Sequence, residues 1–170
     1  MGPIVLIAYA TRMGSTEEVA LKLAEALRGK GWTADVQPAK AIRSLEPYSA
    51  VVLGAALYMG RLHKDARRFL TTHRDALLKL PVSLFVLGPV QNDEMDWTGA
   101  RQQLEREFNR FPWFHPVVQS LVGGKFDPAK LGFPFSLIPA LRKMPPSDVR
   151  NWAAVQAFGD DLVAKLHPAP

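Results

Sequence analysis

Three hydroxyl side chains and a glycine follow the first apolar run of the chain. Thr11, Ser15 and Thr16 surround Gly14 in the stretch "TRMGST", directly after the run Ile4–Ala10. Hydroxyls, the backbone N–H groups of a helix start and a glycine that permits close approach together suit a phosphate. A Ser/Thr-rich turn before a helix is more often only a helix cap. Taken alone, the turn therefore favours a cap over a phosphate site.

Two later segments have residue types that bind a flat ring. Segment 55–60, "AALYMG", combines small residues with Tyr58 and Met59, and either of these two could pack on a ring face. Segment 88–92, "GPVQN", places a glycine and a proline before two amide side chains that could hydrogen-bond the polar edge of a ring system. Each segment by itself is also compatible with core packing or an ordinary turn.

Other kinds of site have less support. The chain has no cysteine, which excludes disulfides, thiolate nucleophiles and cysteine-based metal sites. The glycine motifs of P-loop NTPases and of dinucleotide-binding Rossmann domains are absent. His73, His115 and His167 lack the spacing of metal ligands, so we expect no metal site. His63, three residues after Gly60, could contact a phosphate or a substrate, or could cap a helix.

Apolar runs predict the strands that position these segments. Continuous Val/Ile/Leu runs are typical of parallel strands covered on both faces. Four such runs are present: Ile4–Ala10, Ala50–Ala56, Val82–Leu87 and Val117–Val122. A weaker segment, Trp32–Pro38, alternates in hydrophobicity and ends at a proline, which predicts an edge strand.

Amphipathic patterns between the strands predict helices. The predicted helices are Thr16–Arg28, His63–Leu80, Thr98–Phe108 and Ser147–Leu166, with a shorter helix or turn at Lys40–Leu45. In the last helix, Ser147 is the predicted N-cap, and the residues expected to face inward are Trp152, Val155, Phe158 and Leu162.

The alternation of strands and helices predicts one α/β domain over residues 1–170. Its fold would be a doubly wound, five-stranded parallel sheet in the order 2-1-3-4-5 with helices on both faces. Ligands of such folds bind at the carboxyl ends of the strands, where "TRMGST", "AALYMG" and "GPVQN" meet. This shared position reverses the preference at the first turn and predicts a phosphate-bearing planar cofactor.

The segment 125–150 interrupts this alternation and is rich in proline and phenylalanine. It carries five cationic residues and two acidic ones, and its length alone makes it a functional candidate. Apolar residues and cations between Lys130 and Lys143 could dock on an anionic membrane or on a partner. Alternatively, the Phe and Leu side chains could fold back over the core.

The overall composition is that of a soluble globular protein, with 48% hydrophobic and 22% charged residues. No segment is long and apolar enough to span a bilayer and no secretory signal is evident, so we expect a cytoplasmic protein, at most peripheral to the inner face of the membrane. The net charge of +5 suits an anionic ligand or surface, or simply a basic exterior. Basic residues do not form a stripe interleaved with aromatics, so no nucleic-acid partner is expected.

Four segments carry a resemblance to a known family. They are "IVLIAYATRMGST", "VVLGAALYMGRLHKDARRFL", "VVQSLVGG" with the Pro/aromatic stretch after it, and "NWAAVQAFGDDL". Over nearly its whole length the chain resembles the flavodoxin family, and within it the branch of menaquinone-dependent protoporphyrinogen oxidases and related flavodoxin-domain proteins. The resemblance implies a flavodoxin-like fold that binds FMN noncovalently.

The resemblance also implies site residues and an activity. The phosphate would lie against Thr11, Arg12, Met13, Gly14, Ser15 and Thr16. The ring would contact Ala55, Ala56, Leu57, Tyr58, Met59 and Gly60, with a third loop formed by Gly88, Pro89, Val90, Gln91 and Asn92. The implied function is oxidoreduction or electron transfer with a redox partner, including protoporphyrinogen oxidation with a quinone acceptor. The alternative is a non-enzymatic module of the same fold that docks through the 125–150 segment.

Overall fold

A computed structural model describes residues 3–166, so His167 lies outside the described residues. The strands are β1 (Ile4–Ala10), β2 (Thr33–Pro38), β3 (Ala50–Tyr58), β4 (Arg61–Leu62), β5 (Val82–Leu87), β6 (Gln119–Leu121), β7 (Lys125–Phe126) and β8 (Ser147–Asp148). The α-helices are α1 (Ser15–Gly29), α2 (Lys64–Thr72), α3 (Arg74–Leu77), α4 (Glu94–Phe108), α5 (Pro139–Arg142) and α6 (Trp152–Lys165). Short 3₁₀ helices occupy Ala39–Ala41, Pro128–Lys130 and Phe135–Leu137.

The main sheet confirms the predicted topology. Five parallel strands lie in the order β2-β1-β3-β5-β6, with β2 at an edge as expected. The short strand β4 was not predicted and pairs antiparallel with the end of β3, which extends β3 to Tyr58. At the opposite edge, β6 is shorter than the predicted strand Val117–Val122.

Helices cover both faces of the sheet, which explains why its strands are continuously apolar. In β1, Leu6 and Ala8 pack into the cluster that contains α2 and α4. Val5 and Ile7 point the other way, into the cluster that contains α1 and α6. All four side chains are fully buried. Burial on both faces favours apolar residues at every position of the strand.

Two predicted helices begin at the wrong residue. The helix predicted from Thr98 begins at Glu94, because the Asp93 side chain caps it by accepting a hydrogen bond from the Asp96 N–H at 2.8 Å. The helix predicted from Ser147 begins five residues later, at Trp152. Its cap is Asn151, which accepts from the Ala154 N–H at 3.0 Å.

The late start of α6, and a break at His73 in another predicted helix, correct further predictions. Ser147 lies in β8 instead of capping a helix. Trp152 is 42% exposed instead of facing inward, whereas Val155, Phe158 and Leu162 are buried as predicted. The predicted helix His63–Leu80 is divided into α2 and α3 at His73. For Lys40–Leu45, where a short helix or a turn was predicted, the structure has the turn, a single 3₁₀ turn that begins one residue earlier, at Ala39.

The 125–150 segment leaves the sheet and returns to it at one place. Strands β7 and β8 pair antiparallel, with Lys125 opposite Asp148 and Phe126 opposite Ser147. The backbone pairing continues one residue beyond β7 and β8, on the side of the main sheet, where the Val149 N–H donates to the Gly124 carbonyl oxygen at 2.9 Å. The segment is therefore a long loop whose two ends are joined by the antiparallel pairing of β7 with β8. Within residues 3–166, no helix combines the length and hydrophobicity needed to cross a membrane.

Candidate cofactor site

The turn between β1 and α1 leaves the first N–H groups of α1 without a capping side chain. Gly14 is the N-cap residue, with φ 84° and ψ −5°, a conformation that favours glycine. Its N–H donates to the Thr11 hydroxyl at 2.9 Å, so Thr11 stabilises the turn and does not cap the helix. Among residues 3–166, the three other helices of nine residues or more each have a capping side chain. The helix-cap interpretation is therefore wrong, and these donors remain available for an anion.

The hydroxyls behind this turn are buried. Ser15 is almost fully buried and Thr16 completely so. The Thr16 hydroxyl has no hydrogen-bond partner within the described part of the chain. A buried polar group without a partner costs about 1–3 kcal/mol, so a ligand oxygen that reached this hydroxyl would relieve a real cost.

Partners engage the two carboxylates in the first turn of α1. The Tyr9 hydroxyl donates to Glu17 at 2.8 Å. Burial, together with this hydrogen bond and the nearby charge, raises the pKa of Tyr9 to about 12. Glu18 accepts from Arg150 at 2.6 Å, and this hydrogen bond lowers the pKa of the Glu18 carboxyl. Lys125 lies 3.7 Å from Glu18 on the same side. Arg150 and Lys125 therefore offset the negative charge of Glu18 beside the helix start, whereas Tyr9 hydrogen-bonds Glu17 without neutralising it.

The segment predicted as the second loop is a tight hairpin. Met59 and Gly60 both have positive φ angles, 48° and 78°, and join β3 to β4 as a two-residue turn of the type I′ class. Met59 is 88% exposed at the rim of the site. Tyr58 is half-buried, and its burial raises the pKa of its hydroxyl, an effect partly offset by Arg12.

A cavity of about 590 Å³ lies at the carboxyl ends of β1, β3 and β5. Eleven predicted residues line it: Thr11, Arg12, Met13, Ser15, Ala56, Leu57, Tyr58, Met59, Gly88, Pro89 and Val90. Six predicted residues do not line it: Gly14, Thr16, Ala55, Gly60, Gln91 and Asn92. Of these, Ala55 is buried in the core and Asn92 accepts a hydrogen bond from the Trp97 indole at 3.2 Å. The structure thus brings parts of all three predicted segments together.

Two parts of the cavity lining were not predicted from the sequence. One is a wall formed by helix α4, and the other is formed by the 125–150 segment and is called the roof below. Helix α4 contributes Asp96, Ala100 and Gln103, which share a helix face because they are spaced by four and three residues. The late predicted start at Thr98 had left Asp96 outside the helix. The 125–150 segment contributes its apolar side chains: Phe126, Leu131, Phe135, Ile138, Ala140 and Leu141. Its composition indicated a functional segment but not that it would cover this site.

The 125–150 segment combines features of the two interpretations made from its composition, an exposed docking surface and a loop folded back over the protein. Most of its large apolar side chains fold over the cavity, although not over the sheet core. Phe133 and Leu137 instead point outward and are 79% and 68% exposed.

His63 caps helix α2. Its Nδ1 accepts a hydrogen bond from the Asp65 N–H at 3.2 Å, which requires that nitrogen to be unprotonated. Burial lowers the pKa of His63, so the neutral form is favoured near neutral pH. His63 is not among the residues lining the cavity in the described structure. Of its two predicted roles, this geometry supports the cap.

The fold and this cavity define a flavodoxin-like protein. The model of the flavodoxin domain family matches residues 6–136, and the chain belongs to that family, whose members bind FMN. The protoporphyrinogen IX dehydrogenase [quinone] of Escherichia coli strain K12 is 30% identical over 121 residues, which cover 70% of this chain and 67% of that protein.

Solved flavodoxins share the fold at low sequence identity. Oxidised flavodoxin 1 of Bacillus cereus aligns with a TM-score of 0.59 and 19% identity, covering 98% of this chain and 99% of that one. A flavodoxin of Streptococcus pneumoniae TIGR4 aligns with a TM-score of 0.57 and 17% identity, covering 95% and 99%. At these identities the likeness shows the fold alone.

The residues present fit FMN. An uncapped helix start, with Ser15 lining the cavity and the unpaired hydroxyl of Thr16 buried behind the turn, suits a phosphate. A cavity of this size with largely apolar walls suits a ring system. The chain therefore has both parts that a phosphate-bearing planar cofactor requires.

Proposed function

We propose that this protein is an FMN-dependent oxidoreductase that oxidises a protoporphyrinogen-class substrate and uses a quinone as electron acceptor. The observation that carries the proposal is the roofed cavity, because the 125–150 segment adds apolar walls beside the expected cofactor position. The named activity of the E. coli relative supports the substrate class.

Each side of the cavity has a distinct role in this proposal. The N–H groups of α1, with Ser15 and Thr16, would hold the phosphate, and the ring would lie between the β3–β4 hairpin and residues Gly88 to Val90. FMN, when bound, supplies the electron-transfer chemistry. The roof side chains would exclude water and hold an apolar ring compound against the cofactor.

Asp96 is the group available to accept a proton from the oxidised substrate. It is the only carboxylate among the residues that line the cavity in the described structure. Its helix positions it on the α4 face that includes Gln103. Removal of electrons from a tetrapyrrole macrocycle also releases protons, and a carboxylate beside the substrate can take them up.

The test is a spectrum followed by a turnover experiment. Purified protein should show flavin absorption, protoporphyrinogen should bleach it without oxygen, and a soluble quinone should restore it. Protein that neither purifies with flavin nor binds added FMN would refute the cofactor assignment. Protein that binds FMN but is not bleached by protoporphyrinogen would retain the cofactor and lose the substrate.

We also propose that residues Lys130 to Lys143 contact an anionic membrane surface from the cytoplasmic side. Exposed Phe133 and Leu137 lie among Lys130, Arg142 and Lys143, and no acidic residue occurs between residues 128 and 146. Apolar side chains flanked by cations are the features of interfacial binding. A membrane-bound quinone would then reach the cavity without crossing water.

Vesicle sedimentation tests this contact. The double variant Phe133→Ser, Leu137→Ser should lose binding to vesicles rich in phosphatidylglycerol, while FMN binding is retained. Leu78→Ser is the matched control, because Leu78 is 55% exposed but lies on α3's C-terminal side, outside the 125–150 segment. Equal binding by all three proteins would remove the membrane proposal and leave the oxidoreductase proposal intact.

A further inference from the structure

Arg12 extends from the β1–α1 turn toward the roof of the cavity. Its guanidinium carbon lies 4.2 Å from the ring centroid of Phe135 and 5.3 Å from that of Tyr58. The two rings are 6.4 Å apart and belong to different elements, the 125–150 segment and β3. Two aromatic contacts thus hold one cation where the roof meets the hairpin.

Within the described part of the chain, the guanidinium has no acidic partner. Among residues 3–166, no carboxylate forms an ion pair with Arg12, although Arg150 and Arg110 both have such partners. Its contacts with the two ring faces and with the Tyr58 hydroxyl use at most part of its N–H donors, since a guanidinium presents five. A cation that lines a largely apolar cavity with donors still available is suited to an anionic group of a ligand.

The cofactor phosphate does not need this cation. The uncapped start of α1 already provides donors for it, and the Arg12 guanidinium is instead placed against the rings of Tyr58 and Phe135. Of the two rings beside the Arg12 guanidinium, that of Phe135 belongs to the roof, which in the proposed function faces the substrate.

We propose that Arg12 binds a carboxylate of the substrate, and that the substrate is an apolar ring compound with a carboxylate at its edge. The inference rests on the proposed function and specifies how that substrate is recognised. Tyr58 and Phe135 act as positioning residues, because they fix the orientation of the guanidinium before the substrate arrives. A planar fork of donors can hold a carboxylate through two parallel hydrogen bonds.

The experiment compares a dicarboxylic tetrapyrrole with its ester. Mesoporphyrin IX and its dimethyl ester are titrated by fluorescence into the FMN-loaded protein and into the apoprotein. In Arg12→Gln, the affinity for mesoporphyrin IX should fall about tenfold or more, the loss expected when a charge-assisted hydrogen bond is removed. The affinity for the ester should not change. Arg12→Lys, which keeps the charge but not the fork, should show a partial loss.

Two controls separate this effect from general changes in charge or cofactor binding. Arg61→Gln removes an exposed cation from the neighbouring strand β4 that does not line the cavity, and should leave both tetrapyrrole affinities unchanged. FMN and riboflavin affinities are also measured. If Arg12 served the phosphate, Arg12→Gln would weaken FMN binding but not riboflavin binding.

Each outcome decides between the alternatives. A loss confined to the free acid, with an unchanged FMN-to-riboflavin ratio, supports the inference. Equal losses for acid and ester, no loss for either, no binding of the acid by the parent protein, or a selective loss of FMN affinity would each overturn it. The proposed cofactor function stands or fails separately, on whether the parent protein binds and reduces flavin.

Discussion

The β1–α1 turn and the 125–150 segment line the same cavity but are stabilised in different ways. The turn joins a largely buried strand to a helix of 15 residues, and backbone groups dominate it. The segment consists of elements of two to four residues, and its base is closed by β7 and β8 and by the contacts of Arg150. The turn is thus continuous with the sheet core, whereas the 125–150 segment depends on a few contacts at its base.

In the proposed function, we expect this difference to separate two roles. A cofactor that stays bound needs a site formed before it arrives, and the turn has that character. A substrate that enters and leaves needs a cover that can yield without unfolding the core. Changes in the two regions should therefore have different effects, and each of the following variants tests that separation.

The largest effect is expected from Gly123→Ala, at the base of the segment. Gly123 has φ 76°, and an added Cβ would overlap with the Val149 oxygen and its carbonyl carbon. Left-handed strain and the backbone overlap together should lower the free energy of unfolding by about 3 kcal/mol, measured by chemical denaturation.

The matched control for that change is Gly132→Ala, within the same segment. No atom lies within 4 Å of a Cβ at Gly132. Its effect should stay within about 0.5 kcal/mol, as for ordinary surface changes. Equal effects for the two variants would show that the base is not the part that holds the segment.

The next largest effect is expected from Arg150→Gln, which removes a buried cation from the same base. The Arg150 side chain is only 4% exposed and binds Asp148 through two nitrogens, at 2.7 and 2.9 Å, besides Glu18. Both carboxylates are partly exposed, so solvent screening limits the loss to about 2 kcal/mol at neutral pH.

The pH dependence of this loss follows from the two carboxyl groups. The hydrogen bonds from Arg150 lower the pKa of Asp148 and of Glu18 below their ordinary values of 3.8 and 4.5. Their stabilisation is therefore complete above those values and is lost as pH falls through the lowered pKa values. Arg150→Gln should cost less at pH 3 than at pH 7 in denaturation experiments. A constant cost, or an equal cost for the exposed Arg142→Gln, would contradict this account.

A smaller effect is expected from Gly14→Ala in the turn. Its φ is also strongly positive, but no atom lies within 4 Å of an added Cβ, so only strain of about 1 kcal/mol is expected. FMN affinity, measured by fluorescence quenching, should fall because the strained turn displaces the helix donors. Gly29→Ala, at the open end of the same helix, should be neutral or slightly stabilising and should not change FMN affinity.

The same contrast explains what the sequence could predict. The strands and the position of the turn follow from continuous apolar runs, because a two-sided sheet imposes that pattern at every strand position. The strand order follows from the alternation of strands with helices. The roof depends on contacts between distant residues, such as that of Arg150 with Glu18, 132 positions apart. Periodicity carries no signal for such pairs.

Two local errors have a similar cause. Ser147 and Asn151 are both residues that cap helices, and the choice between them depended on whether Ser147 paired with Phe126 in a two-residue ladder. Asp96 was missed because Asp93, the cap that extends α4, was not recognised as one. Local propensity allowed either outcome at both places, and tertiary contacts decided.

The smallest change in stability, and the sharpest test of the cofactor wall, is expected from Thr16→Val. Thr16 and Ser83 are the two fully buried residues whose hydroxyls lack partners in the described structure, and only Thr16 lies at the start of α1. Removing an unpaired buried hydroxyl should leave the apoprotein as stable as before, or up to about 1 kcal/mol more stable. In Thr16→Val, FMN affinity should nevertheless fall several-fold, because the phosphate loses one of the two buried hydroxyl donors at the start of α1, the other being that of Ser15. Ser83→Ala removes the equivalent hydroxyl from the middle of the sheet and should leave FMN affinity unchanged. If both variants bind FMN like the parent protein, the unpaired hydroxyl of Thr16 is a feature of the core, and the turn binds the phosphate through its backbone alone.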